Sequence, residues 1–208
     1  MGHYLGPDCK LCRREGEKLF LKGSRCSSNK CAIEKRNIPP GQHGQSRKKP
    51  TDYATQLREK QKTKRIYGLR EVQFRNLFDF AVTRKGVITG EYLLQLLERR
   101  LDNVVYRLGL ASSRTEARQL ISHRHFEVNG RRVNVASFLA RPGDVVAVAG
   151  ASKELPPIQS AVRNFAGRVP VWLDFDQSEL KGTIARAPAR EEIDTQVQEQ
   201  LIVEYYSR

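Results

Sequence analysis

The chain has one methionine, one tryptophan and no run approaching the ~18 apolar residues of a membrane helix. Its first residues, Met-Gly-His-Tyr-Leu-Gly-Pro-Asp-Cys-Lys, lack the apolar stretch of a signal peptide. No membrane contact is expected, and the protein is expected to be soluble and cytoplasmic. No Walker A loop, nucleophile elbow or His-Glu-x-x-His motif occurs, and Asp102 and Asn103, on a helix surrounded by arginines, are read as structurally paired rather than as acid/base groups. No enzyme and no small-molecule substrate are therefore expected. Acids are also scarce: 23 Asp plus Glu stand against 37 Lys plus Arg in 208 residues, a net charge of +14 that seeks polyanions. With a mean hydropathy of −0.57, the apolar residues suffice for one modest core or two small ones.

Cysteine is absent after residue 31, and all four stand as Cys9-x2-Cys12 and Cys26-x4-Cys31. In a reducing compartment such spacing favours a thiolate metal site over disulfides. Two tight turns presenting two sulfurs each suit one tetrahedral Zn2+; iron-sulfur ligation also uses four cysteines, but nothing else here suggests redox chemistry. Lys10, Arg13, Arg14 and Arg25 offset the thiolate charge. With no open coordination position, the ion is expected to staple a segment too poor in apolar residues to fold alone.

Asn37 to Pro50 is rich in turn formers and ends in cations, so it reads as an exposed loop. Thr51 or Asp52 caps a helix toward Tyr67, with Tyr53 and Leu57 on its covered face, and Phe74, Leu77, Phe78 and Ala81 mark a second helix ending before Gly86. Leu93, Leu94, Leu97, Leu101, Val104, Val105 and Leu108 trace a single helix stopped by Gly109. Ser113-Arg-Thr-Glu116 is a capping box opening a short helix with Ala117, Leu120 and Ile121 inward. A hairpin follows, Phe126–Val128 and Arg131–Val133 across Asn129-Gly130, then a strand at Val145–Val148. Trp172, Leu173 and Phe175, and later Leu201 to Tyr206, suggest short strands or a returning tail. The fold class is α+β, divided as 1–45 zinc-stapled segment and basic loop, 46–97 basic helical domain, 98–150 two helices on a small antiparallel sheet, and 151–208 a C-terminal segment packing on the earlier domains.

The runs Arg100-Leu-Asp-Asn-Val-Val-Tyr-Arg-Leu-Gly109, Ser113-Arg-Thr-Glu-Ala-Arg-Gln-Leu-Ile-Ser-His123 and Val128-Asn-Gly130 resemble the α-L RNA-binding domain of the bacterial ribosomal protein S-four family. Leu11-Cys-Arg-Arg-Glu-Gly16, Pro40-Gly-Gln-His-Gly44, Leu57-Arg-Glu-Lys-Gln-Lys62, Arg65-Ile-Tyr-Gly68, Gln73-Phe-Arg-Asn76 and the ending from Glu199 to Arg208 extend the resemblance over nearly the whole chain. It implies a structural small-subunit protein and primary rRNA binder that nucleates subunit assembly. It also implies contact with ribosomal protein S-five, a part in decoding accuracy and a place beside the mRNA entrance. Arg13, Arg14, His43, Arg58, Lys62, Arg65, Arg107, His123 and Asn129 are the RNA-contacting residues that the resemblance implies. His123-Arg124-His125 stands where family members often have a glycine, and many members lack the cysteines.

Arg47, Lys48 and Lys49 are assigned to RNA by phosphate neutralisation, although such charge runs are commonly only solvated. His43 has no partner at metal spacing and is read as a loop residue. Arg114 and Arg118 fall one helical turn apart beside an inward apolar stripe, and are assigned to the rRNA backbone; the alternative is pairing with acids such as Glu116. Two other classes compete: an RNA-modifying enzyme carrying an α-L domain, which needs a catalytic domain absent from the reading above, and a zinc-containing DNA-binding regulator, which competition between duplex DNA and structured RNA exposes.

Overall fold

The computed structural model describes residues 4–45, 49–165 and 167–208. In chain order the helices α1 (Asp8–Glu15), α2 (Ala32–Lys35), α3 (Asp52–Ile66), α4 (Glu71–Thr83), α5 (Thr89–Glu98), α6 (Leu101–Arg107) and α7 (Arg114–Ser122) precede strands β1 (Phe126–Val128), β2 (Arg131–Val133) and β3 (Val145–Val148). Helix α8 (Pro156–Arg163), strands β4 (Leu173–Asp176) and β5 (Lys181–Ile184) and helix α9 (Glu199–Tyr206) follow. Contacts group the chain into two units, Met1–Leu93 with Thr195–Arg208, and Leu94–Asp194.

In the first unit α3 packs along α9. Thr51 caps α3 by accepting from the Ala54 amide, as its residue type predicts. The buried face differs from the expected one. Tyr53 remains 49% exposed, whereas Gln56, Lys60, Thr63 and, just past the helix, Tyr67 are buried. The reason is that α9 supplies polar partners: Gln56 donates to Glu204 at 2.8 Å, and Lys60 lies 4.7 Å from the Tyr205 ring centre. Lys60 and Tyr206 both donate to the Glu71 carboxylate, at 2.6 and 3.0 Å. Phe74, Phe78 and Ala81 of α4 are buried as the helical spacing predicts, and the Tyr206 ring stands 4.6 Å from that of Phe78.

In the second unit, five strands among the described residues form one antiparallel sheet ordered β2-β1-β3-β5-β4. Phe126 lies opposite both Val133 and Val148, so the alternation places Phe126, Val128, Val146 and Val148 on the covered face. Asn129 and Gly130 both take positive φ, 50° and 75°, as a type I′ turn requires. Beneath the sheet, α6 and α7 contribute Leu101, Val104, Ala117 and Ile121, the α6 cap residue Leu108 joins them, and Ile158, Trp172 and Ile184 close the core. Full burial of such a side chain stabilises by about 1.5–3 kcal/mol.

The single helix expected across Leu93–Leu108 is instead two. At Arg100 the backbone is extended (φ −64°, ψ 138°) and bridges Leu139. The Leu101 and Asp102 amides donate to the carbonyls of Phe138 and Ala136 rather than to a preceding helical turn. The apolar spacing stays in phase through the break because Leu97 and Leu101 both face the interior.

Candidate nucleic-acid interface

At the start of the chain, α1 carries Cys9 and Cys12, a 3-10 turn at Gly23–Ser27 carries Cys26, and Cys31 immediately precedes α2. All four thiols line one small cavity with Lys22, Arg25, Ala32 and Ile33, and the Lys22 amide donates to Cys26 Sγ at 3.3 Å. Burial pushes the Cys12 thiol up from its usual value, against a backbone hydrogen bond from Leu19, and Cys26, Cys9 and Cys31 add to the rise. Among the described residues, no three His, Cys, Asp or Glu side chains are grouped closely enough to hold a metal ion as they stand. The four cysteines nonetheless line a single cavity, with the Lys22 N–H donating to one of the sulfurs.

Behind this segment the buried Glu15 carboxylate of α1 receives Arg58 at 3.3 Å and a close Arg65 contact, both from α3. Burial pushes the Glu15 carboxyl up, while Arg65 and Arg58 hold it down. Lys62 pairs with Glu59 at 3.0 Å and approaches Glu17. Arg13 donates Nε to the Ile38 carbonyl at 2.8 Å, whereas Arg14, His43 and Lys49 are exposed. Three of the cations singled out in the sequence, Arg58, Lys62 and Arg65, therefore join α1 and its following loop to α3. Arg47 and Lys48 lie outside the described residues.

In the second unit the arginines are organised by acceptors at the end of α5 and the start of α6. Glu98 takes Arg107 Nε and Nη2 at 3.0 and 2.8 Å, and Asp194 takes Arg107 at 2.6 Å. Asn103 donates to Glu98 and accepts Arg114 Nε at 2.7 Å, with the Arg114 guanidinium 4.5 Å from the Tyr106 ring centre. Asp102 receives Arg100 and Arg118 together, at 3.0 and 2.6 Å. The acid that meets Arg118 is thus Asp102, sixteen residues away, while Glu116 accepts from the Ser112 amide.

His123 is exposed, and His125 Nδ1 meets Ser152 Oγ at 3.0 Å. Between them Arg124 takes φ 64°, the left-handed conformation that a glycine adopts without cost and other residues at about 1 kcal/mol or more. Asn129 braces the hairpin: it donates to Asp144 and accepts the Val145 amide, both at 2.9 Å. Sequence reasoning singled out the arginines and read Asp102 and Asn103 as structurally paired, which their contacts with Arg100, Arg118 and Arg114 bear out, but it missed Glu98 as an anchor, and missed Arg124. The departure from glycine at position 124 was the available signal for the latter.

The described geometry is accompanied by close relatives. Residues 3–98 match the model of the ribosomal protein S4/S9 N-terminal domain, and residues 99–146 match that of the S4 domain. The small ribosomal subunit protein uS4A of Symbiobacterium thermophilum is 61% identical, with both chains covered in full. The uS4 proteins of Acetivibrio thermocellus and Dictyoglomus turgidum are each 58% identical, again with both chains covered in full. Two domain models in succession and identities of 58–61% over full-length chains establish that the chain belongs to the small ribosomal subunit protein uS4 family.

Proposed function

We propose that this chain is a structural component of the small ribosomal subunit that binds small-subunit rRNA in the cytoplasm and has no catalytic role. The observation that carries this reading is identity of 61% to a uS4A protein with both chains covered in full. The charge of +14 supplies the sequence-independent attraction to a polyanion. Within the second unit, Arg114, Arg118, Arg124 and Arg107 supply the cationic groups and His123 an exposed hydrogen-bonding ring, and phosphate contact by them contributes affinity and register more than base choice. Arg124 supports the assignment because an exposed cation stands where glycine is conformationally easier. In the first unit Arg14, His43 and Lys49 are the exposed contacts, with Arg47 and Lys48 assigned by sequence alone. Arg13, Arg58, Lys62 and Arg65 hold the cysteine segment against α3 as well as adding positive charge.

The four cysteines fit a structural Zn2+, held by Cys9, Cys12, Cys26 and Cys31, which when bound supplies folding energy and no reaction chemistry. Early assembly, contact with ribosomal protein S-five, a part in decoding accuracy and a position at the mRNA entrance complete the reading, carried by the resemblance in sequence. Sedimentation after a high-salt wash tests it. The chain is expected to remain with small ribosomal subunits, and a chain that stays free overturns the reading.

A further inference from the structure

Asp102 holds two guanidinium groups at once. Arg100 grips it from within by Nε to Oδ1 at 3.1 Å and Nη2 to Oδ2 at 3.0 Å, and its side chain is only 6% exposed. Arg118 gives Nε and Nη2 to Oδ2 at 3.1 and 2.6 Å, and keeps 23% of its side chain exposed above a carboxylate that keeps 2%. A carboxylate already paired with Arg100 does not require a second cation for charge balance. The adjacent residue repeats the arrangement, with Asn103 holding Arg114 at 2.7 Å over the Tyr106 ring. Two consecutive buried residues of α6 thus orient two arginines one turn apart on α7.

We propose that Asp102 is a positioning residue for RNA binding, holding the Arg118 guanidinium at the surface in the orientation that meets a phosphate. The proposal rests on the reading that this unit binds rRNA. A free arginine loses rotamer freedom when a ligand immobilises it, and fixing the side chain beforehand removes that cost from the binding step. A guanidinium carries its N–H donors on three nitrogens in a planar fork, and Arg118 keeps part of its side chain exposed while bound to Asp102, so one guanidinium can serve a carboxylate and a phosphate together. The buried acid therefore strengthens binding to an anion, the reverse of what its own charge does at long range.

The opposition makes the test decisive. The full chain is titrated against a small-subunit rRNA transcript over a range of salt. Asp102→Asn preserves shape and raises the net charge by one, so long-range attraction alone predicts tighter binding. Positioning predicts binding weaker by roughly tenfold and a log-log salt slope flatter by about one, as for the loss of one phosphate contact. In combination with Arg118→Ala, Asp102→Asn is expected to add no further loss, since it acts through Arg118. Arg100 also leans on Asp102, so Arg118→Lys decides the matter should the first variant lose its fold. It leaves the Arg100 pair intact and keeps the charge, yet is expected to bind roughly tenfold more weakly because an ammonium group lacks the fork. Wild-type affinity for Arg118→Lys, or unchanged or tighter binding by folded Asp102→Asn, overturns the proposal. A wild-type chain that ignores the transcript overturns the rRNA reading and this proposal with it, whereas tight wild-type binding with indifferent variants overturns this proposal alone.

Discussion

Gly182 lies in the middle of β5, paired with Val146 of β3 on one side and Phe175 of β4 on the other. A Cβ at this position meets Leu108 Cδ1 at 2.5 Å, Cδ2 at 2.6 Å and Cγ at 3.1 Å. Because three carbons of one side chain are struck, a rotation of its tip does not relieve the clash. Leu108 is 1% exposed and packed in the core, so it has no empty space to enter. Gly182→Ala therefore overpacks the contact between Leu108, which caps α6, and the sheet, and is expected to destabilise the second unit by about 1–3 kcal/mol. Leu108→Ala alone is expected to cost about 2–5 kcal/mol through lost burial and the cavity left behind. In the double variant the new methyl enters that cavity, so the combined loss falls short of the sum by about 1 kcal/mol or more. Urea unfolding followed by Trp172 fluorescence measures all three, since the single tryptophan is buried in the same core. Gly182→Ala at wild-type stability, or strictly additive losses, refutes the close packing of Leu108 against Gly182.

Chelator-washed protein is expected to retain about one zinc per chain, released only under denaturing conditions, and its loss to expose the first forty or so residues to protease while Leu101–Val148 stays protected; absence of zinc together with four alkylatable thiols in the native chain contradicts this. Each of Arg114→Ala and Arg118→Ala is expected to flatten the salt slope by about one, in a protein whose affinity falls roughly three to five orders of magnitude between about 50 and 200 mM salt if it neutralises about 6 to 10 phosphates; an unchanged slope in folded variants removes α7 from the interface. Replacing Arg47, Lys48 and Lys49 with Ala is expected to leave assembly largely intact and slow translation through stable message hairpins, and equal slowing on unstructured message counts against strand handling. Burial pushes the Glu71 carboxyl up, but hydrogen bonds from Lys60, Lys64 and Tyr206 outweigh it and hold it at about 2, below its ordinary 4.5. A depressed carboxyl stabilises the fold above its unfolded value and loses that effect as pH falls through its folded value, so the advantage of wild type over Glu71→Gln should fade between about pH 4.5 and 2. At a side chain 44% exposed, solvent screening reduces this advantage to about 1 kcal/mol, measurable by urea unfolding at several pH values; a constant difference across that range contradicts it.

Local chemistry was legible in the sequence wherever the governing partners lie within a few residues. The Thr51 and Ser113 caps, the Asn129-Gly130 turn and the apolar face of α4 all depend on spacings of a few residues, and the structure keeps each; the cysteines do line one cavity, but Cys9 and Cys12 stand on helix α1 and not on a tight turn. The Pro156-Pro157 pair opening α8 carried a comparable local signal that went unread. Tertiary structure alone decided the features whose partners arrive from afar. Helix α5 stops before α6 because carbonyls at Ala136 and Phe138 capture the amides of Asp102 and Leu101, and no apolar periodicity records a hydrogen bond across some 35 residues. Helix α3 buries Gln56 and Lys60 because Glu204, Tyr205 and Glu71 meet them, contacts that reach across as many as 148 residues. The same distinction governs the candidate interface. That Arg114 and Arg118 share a flank of α7 follows from helical geometry, but that Asn103 and Asp102 hold them follows only from the packing of α6 on α7. A sequence reports the charge of an arginine; the fold decides which buried acceptor aims it.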